Sequence, residues 1–168
     1  VQVFLFVVNT GTALHADEVA KWDKFERTLP LKRSTMIGAK YITFALLIFC
    51  GLFAGFGTVI CVILSGQTWN GLSILWGYEY GLGLSVISVS LMYPVILKIG
   101  TEKNELVLLL SAFAAVCLMC LIAAALSPVT GEMNLQHPLT GMINSFAALL
   151  MFPISFLVSV SIHKNKEF

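Results

Sequence analysis

Four long stretches without a charged residue restrict what this chain of 168 residues can fold into. They cover residues 41–64, 80–97, 106–126 and 139–162, and each is between 18 and 24 residues long. A helix of about 20 apolar residues crosses the hydrocarbon core of a bilayer. The stretches lack the alternation of polar and apolar residues found in the strands of a membrane barrel. We therefore predict an all-α, polytopic bundle with four complete transmembrane helices.

The charged fraction of the chain excludes a soluble protein. Only 11% of the residues are charged, whereas a soluble domain carries about a quarter. The apolar run at residues 1–8 (VQVFLFVV) is too short to span a bilayer, and no basic region of a signal peptide precedes it. We interpret this run as the end of an earlier transmembrane helix and expect one transmembrane domain over residues 1–168.

The distribution of lysine and arginine predicts the orientation in the membrane. Six of the ten lie within residues 15–40, two lie between the second and third stretches, and two lie at the end of the chain. Residues 65–79 and 127–138 contain none. Because cytoplasmic loops carry an excess of lysine and arginine, we place residues 15–40, 98–105 and 163–168, and with them the C-terminus, in the cytoplasm.

Aromatic residues and one acidic residue mark the outer end of the second stretch. Trp69, Trp76, Tyr78 and Tyr80 cluster there, as expected for the aromatic belt of a membrane interface. Glu79 lies among them. We interpret Glu79 as a solvated carboxylate at the start of a helix; contact with a substrate is the alternative.

Residue types that catalyse reactions or bind metals do not form a recognisable site. Cys117 and Cys120 have C-x-x-C spacing, but they lie in an apolar stretch, where a metal-binding thiolate would have to ionise in hydrocarbon. Cys50 and Cys61 are too far apart on one helix for a disulfide. We interpret all four as buried apolar side chains. The sequence also has no H-E-x-x-H motif and no P-loop, so we expect no metal site, no catalytic residues and no ATP hydrolysis.

Glycine and proline positions predict helix contacts and bends. The G-x-x-x-G pairs that begin at Gly51 and Gly77 have the spacing that lets helix backbones approach closely. Pro94 and Pro153 each remove a helical hydrogen bond and can kink the helix. These patterns indicate a packed bundle but no particular partner.

The four stretches contain no Asp, Glu, Lys or Arg. Charged side chains within a membrane usually mark ion pathways or proton relays. Their absence disfavours an ion-coupled carrier or a selective ion channel, so energy for transport would come from another protein. The few polar side chains there would suit a hydrophobic or amphipathic cargo, but they would equally serve helix packing. They are Thr43, Thr58, Ser85, Ser88, Asn144 and Ser159.

Residues 15–40 form a charged segment between apolar flanks. Val19, Trp22, Phe25 and Leu29 recur at helical spacing and predict a helix with one apolar stripe, which Pro30 would end. Residues 17–29 carry four acidic and three basic side chains. This composition suits a protein partner better than an anchor on anionic lipid, which remains the alternative.

The charged segment resembles the signature cytoplasmic segment of the permeases of bacterial ABC type-2 transporters. In that family an acidic pair precedes a Trp-rich helix, followed by Leu-Pro, a basic residue and a Lys-Tyr pair that opens the next span. Residues 93–107 resemble the inner loop of the family, and residues 159–168 resemble its short basic ending. The matching positions of the charged segment are Asp17, Glu18, Trp22, Asp23, Leu29, Pro30, Arg33, Lys40 and Tyr41.

The resemblance implies a non-catalytic permease subunit with six spans in the intact protein, located in the bacterial cell membrane. It implies two kinds of partner, a second permease (a copy or a paralogue) and a cytoplasmic ATPase that binds ATP and magnesium. This chain would hold no cofactor of its own. The implied ATPase interface comprises Asp17, Glu18, Trp22, Asp23, Lys24, Phe25, Arg27, Leu29, Pro30 and Arg33, and Lys40 and Tyr41 would open the next membrane span.

Two other classes of function compete with an exporter permease. A structural or assembly membrane protein would use the charged segment to recruit a different cytoplasmic partner. A membrane-embedded enzyme would need an acid, a base or a nucleophile in the four stretches, and the sequence offers no candidates there. We expect no nucleic-acid partner, and the sequence does not identify the transported substrate.

Overall fold

The computed structural model describes residues 16, 19–21, 33–66, 71–100, 103–131 and 137–165. These residues contain no strand and form four long helices: α1 (Arg33–Leu64), α2 (Gly71–Ile99), α3 (Asn104–Thr130) and α4 (Pro138–Asn165). Each is long and apolar enough to cross a membrane. The predicted all-α, polytopic bundle with four membrane-spanning helices is confirmed.

The helices extend beyond the uncharged stretches at several ends. The first begins at Arg33 rather than at residue 41, and the second begins at Gly71 rather than at residue 80. Glu79 therefore lies inside α2, within the membrane-spanning part Ile74–Ile99. The interpretation of Glu79 as a residue at a helix start is therefore wrong, because one carboxylate does not interrupt the backbone hydrogen bonds of a helix.

Two of the helices end at glycines with a left-handed backbone. Gly100 has a φ of 99°, and its N–H donates to the carbonyl of Ile96 at 2.8 Å. Gly131 has a φ of 78°, and its N–H donates to the carbonyl of Ser127 at 2.9 Å. This conformation is favourable for glycine and satisfies carbonyls in the last helical turn.

The central pair of the bundle consists of α2 and α4, and α1 and α3 each pack against both. Successive helices run in opposite directions, so Lys40, Lys98 and Lys103 lie at one end of the bundle, which we call the basic end. The main core cluster lies towards that end and comprises Ile37, Tyr41, Phe44, Ile48, Val89, Met92, Tyr93, Ile96 and Val107. A second cluster comprises Ile87, Ala115, Met119 and Ala148.

The outer surface of the bundle is apolar, as a lipid-facing surface requires. Phe53, for example, is 74% exposed. Three of the cysteines, Cys50, Cys61 and Cys117, are also exposed, and Cys120 is half-buried. The expectation of four buried cysteines is therefore wrong for these three, because an apolar helix in lipid does not need to turn its thiols inward.

One of the two predicted G-x-x-x-G pairs makes a close helix contact. A Cβ atom added at Gly55 would lie 2.7 Å from the ring of Tyr78 on α2, so this position must stay small for the contact to keep its present geometry. No atom of the described residues lies within 4 Å of a Cβ added at Gly77. The second pair therefore makes no such contact within the described part of the bundle.

Candidate functional site

Most of the predicted ATPase interface lies outside the described residues: Asp17, Glu18, Trp22, Asp23, Lys24, Phe25, Arg27, Leu29 and Pro30. Residues 16 and 19–21 beside these positions are described. The Ala20 N–H donates to the Ala16 carbonyl at 3.0 Å, and Lys21 has a φ of 54°. Left-handed geometry interrupts a right-handed helix. The prediction of one continuous helix through Val19 and Leu29 is therefore wrong at Lys21.

The tenth residue of the predicted interface, Arg33, lies on α1, as do the two predicted membrane-entry residues, Lys40 and Tyr41. Arg33 is the first residue of α1, Lys40 is half-buried, and Tyr41 is buried with 4% of its surface exposed. The charged segment therefore leads directly into a helix that carries Tyr41 into the core of the bundle.

Tyr41 joins three helices through its ring and its hydroxyl. The ring packs edge-on against four aromatic rings, on α1, α2 and α4, with centroid distances of 5.1 to 5.7 Å. The hydroxyl lies 2.6 Å from Ser155 Oγ and 3.0 Å from Ser159 Oγ, both on α4. We call Tyr41, Ser90, Ser155 and Ser159 the tyrosine junction.

Proton counting fixes the direction of each bond in the tyrosine junction. The Ser155 hydroxyl donates to the backbone carbonyl of Ser90 on α2 at 2.6 Å. A serine hydroxyl has a single proton, so Tyr41 donates to Ser155, and Ser159 in turn donates to Tyr41. The result is a continuous hydrogen-bonded chain across α1, α4 and α2.

Pro94 explains why the Ser90 carbonyl is free to accept this bond. Proline has no N–H, so the carbonyl four residues earlier loses its helical partner. That carbonyl belongs to Ser90, and the Ser155 hydroxyl of the neighbouring helix takes the place of the missing donor. In a membrane, such a side-chain donor is needed because no bulk water is available.

We expect the effect of Ser155→Ala on stability to depend on Pro94. With Pro94 present, Ser155→Ala leaves the Ser90 carbonyl without a donor. In the Pro94→Ala background, the restored N–H can bond to that carbonyl, so the same substitution should cost about 1 kcal/mol less. Unfolding in mixed micelles by SDS titration, followed by circular dichroism, measures all four combinations. Equal costs in both backgrounds would contradict this role for Ser155.

A lateral groove lies between α1, α2 and α4, away from the basic end. Its volume is about 740 Å³, within the range of about 300–1,000 Å³ typical of small-molecule sites. Two of the side chains that line it are polar, Glu79 and Ser145. Its apolar lining comprises Ala45, Ile48, Phe49, Leu52, Leu75, Trp76, Leu82, Gly83, Val86, Ala148, Leu149 and Phe152.

Glu79 is fixed at the polar end of the groove. The Ser145 hydroxyl on α4 donates to Glu79 Oε1 at 3.0 Å. The carboxylate also lies over Gly141, where an added Cβ would approach Glu79 Oε2 to 2.6 Å. A small residue at position 141 thus leaves the space that the carboxylate occupies between α2 and α4.

Asn144 lies beside Glu79 in a second, much smaller cavity of about 10 Å³. It is 3% exposed, and within the described residues neither its side-chain oxygen nor its nitrogen has a hydrogen-bond partner. An unpaired buried amide is unfavourable. Polar groups that cost stability in this way are often found where a protein binds something.

Sequence reasoning found only part of these sites. Tyr41 was identified from the Lys-Tyr pair, but its bonds to α4 join positions 114 and 118 residues apart, a separation that leaves no local sequence signal. The uncharged stretches put Glu79 at a helix start, whereas it lies inside α2. An acidic residue within an otherwise apolar helix is the sequence signal that points to the groove.

The chain matches the family described as ABC-2 family transporter protein over residues 1–164. No curated protein and no solved structure shows a significant match. The match extends from the charged segment through α4, and the bundle has the membrane-spanning helices that such a transporter requires. This chain therefore belongs to the ABC-2 transporter family and is a multi-pass integral membrane protein.

Proposed function

We propose that this chain is the permease subunit of an ATP-binding cassette exporter in the bacterial cell membrane. A separate cytoplasmic ATPase would bind ATP and magnesium, and a second permease, a copy or a paralogue, would complete the transport pathway. The charged segment and the C-terminus would face the cytoplasm.

The family match over residues 1–164 is the observation that carries this proposal. The sequence agrees with it, because these 168 residues contain no P-loop and so do not supply the ATPase themselves. The grouping of lysine and arginine supports the orientation.

The tyrosine junction suggests how movement of the charged segment would reach the membrane helices. Arg33, which lies within that segment, is the first residue of α1, and Tyr41 lies about two turns further along the same helix. Displacement of α1 would act through Tyr41 on α4, and through Ser155 on α2. The three helices that line the lateral groove are the ones that this path connects.

Co-purification tests the proposal. We expect the affinity-tagged chain, extracted in mild detergent, to retain a P-loop ATPase in stoichiometric amount, identified by photolabelling with an azido derivative of ATP. An untagged preparation is the control. Recovery of a soluble partner that does not bind ATP, with no ATPase, would instead favour the structural or assembly protein.

A further inference from the structure

The lateral groove combines a long apolar wall with one carboxylate. Phe49 and Leu149 on its rim are 60% and 69% exposed, so the groove opens on the lipid-facing surface of the bundle. A ligand could therefore reach it sideways from the membrane. The apolar lining would accept a hydrocarbon chain or a ring system.

Glu79 lacks a positively charged partner among the described residues, and its one hydrogen bond there is from Ser145. A half-buried carboxylate among apolar side chains is costly unless it is paired. Lys40, Lys98 and Lys103, the lysines placed on α1, α2 and beside α3, belong to the basic end, at the other side of the bundle. Because none of the described residues pairs with it, the Glu79 carboxylate is open to a cation supplied by a ligand.

The depth of Glu79 fits the headgroup of a membrane amphiphile. Glu79 and Lys98 are 19 residues apart on α2, about 28 Å along a helix. Because the hydrocarbon core is about 30 Å thick, placing Lys98 at one interface brings Glu79 close to the other. Ammonium groups of amphiphiles lie at this depth, while their apolar parts extend into the hydrocarbon beside the groove.

We propose that the lateral groove binds an amphipathic cation, with its ammonium group paired to Glu79 and its apolar part held between α1, α2 and α4. Asn144 extends the polar end of the site, because its unpaired amide lines the small cavity that Glu79 also lines. The further claim that such cations are the class of transported substrate rests on the proposed permease function.

Binding to the reconstituted chain tests this assignment without any ATPase. The chain has three tryptophans, and Trp22→Phe with Trp69→Phe leaves Trp76, which lines the groove, as the reporter. The probes are dodecylammonium and dodecanol, each carrying a bromine atom that quenches tryptophan, added to phosphatidylcholine nanodiscs. We expect dodecylammonium to bind about tenfold more tightly than dodecanol, a difference of about 1.4 kcal/mol.

Matched variants separate ion pairing from partitioning into the bilayer. Glu79→Gln should abolish the preference for dodecylammonium, whereas Glu105→Gln, at an exposed glutamate on α3, should preserve it. Ser145→Ala should reduce the preference for dodecylammonium by a smaller factor. This second variant keeps the test informative if circular dichroism shows that Glu79→Gln does not fold.

Three results would overturn the proposal. Equal binding of the two probes would indicate a site for an acyl chain alone, and an unchanged preference in Glu79→Gln would show that Glu79 does not pair with the ammonium group. The third is that neither probe binds because a second copy of the chain covers Trp76. None of them bears on ATPase recruitment, so the proposed permease function would still stand. Conversely, a chain that binds dodecylammonium but retains no ATPase would contradict the permease function alone.

Discussion

Replacing Tyr41 by alanine is expected to destabilise the bundle more than any other single truncation considered for these helices. The ring contacts four aromatic side chains, and its removal leaves a cavity in the main core cluster. Truncation of a large buried aromatic side chain costs about 3–5 kcal/mol. The lower end of this range applies here. Part of the cost in soluble proteins reflects transfer of the side chain from water, whereas the surroundings of a membrane helix are already apolar. We therefore expect a loss of about 3 kcal/mol in the free energy of unfolding.

Tyr41→Phe separates the hydroxyl from the ring. It removes the bonds to Ser155 and Ser159 but keeps the aromatic packing, so we expect a smaller loss of about 1 kcal/mol, the size of hydrogen bonds between membrane helices. Phe53→Ala is the matched control, since Phe53 is an aromatic residue of α1 that faces outward. SDS titration of the purified chain measures all three. If Tyr41→Ala costs no more than Phe53→Ala, Tyr41 does not hold the helices together.

Replacing Trp22 by alanine is expected to weaken binding of the ATPase that we propose as the partner. Large aromatic side chains commonly dominate protein interfaces, and truncating one that is central costs about 2 kcal/mol or more. That corresponds to about a 30-fold rise in the dissociation constant. Titration of the detergent-solubilised permease with its purified ATPase measures this constant, and expression in the membrane should be unchanged.

The matched control for Trp22→Ala is Trp69→Ala. It deletes the same side chain from residues 65–79, which contain no lysine or arginine and which we place on the outer side. We expect Trp69→Ala to leave ATPase affinity within about twofold of the original chain. Equal loss of affinity in both variants would show that the charged segment is not the specific interface.

Helix number and type could be predicted from the uncharged stretches, whereas helix boundaries could not be read from those stretches alone. Lipid requires an uninterrupted apolar stretch for each span, so the four spans are visible as runs of uncharged residues. The observed helix ends differ from the ends of the uncharged stretches because a helix continues as long as its backbone hydrogen bonds are satisfied. A charged side chain does not by itself end it. Arg33 and Gly71 begin helices before the uncharged stretches at residues 41–64 and 80–97, so those stretches alone put Glu79 outside its helix.

The candidate sites were predictable only where a local pattern exists. The charged segment has such a pattern, and its interface residues remain a prediction. The interruption at Lys21 had no sequence signal, because any residue other than glycine or proline would be read as helical there.

The sequence by itself determined that this is a membrane bundle and, through its charges and signature residues, which family it belongs to. Only the tertiary structure decided that Tyr41 connects three helices and that Ser155 replaces the donor lost at Pro94. It also decided that Glu79 is the one carboxylate among the described residues that line the apolar groove. The physical reason is that some interactions are local and others join distant residues. Hydrophobicity and charge decide the fate of each segment separately, so they can be read along the chain. Hydrogen bonds such as those from α4 to Tyr41 and Glu79 join residues more than 60 positions apart and exist only once the helices pack.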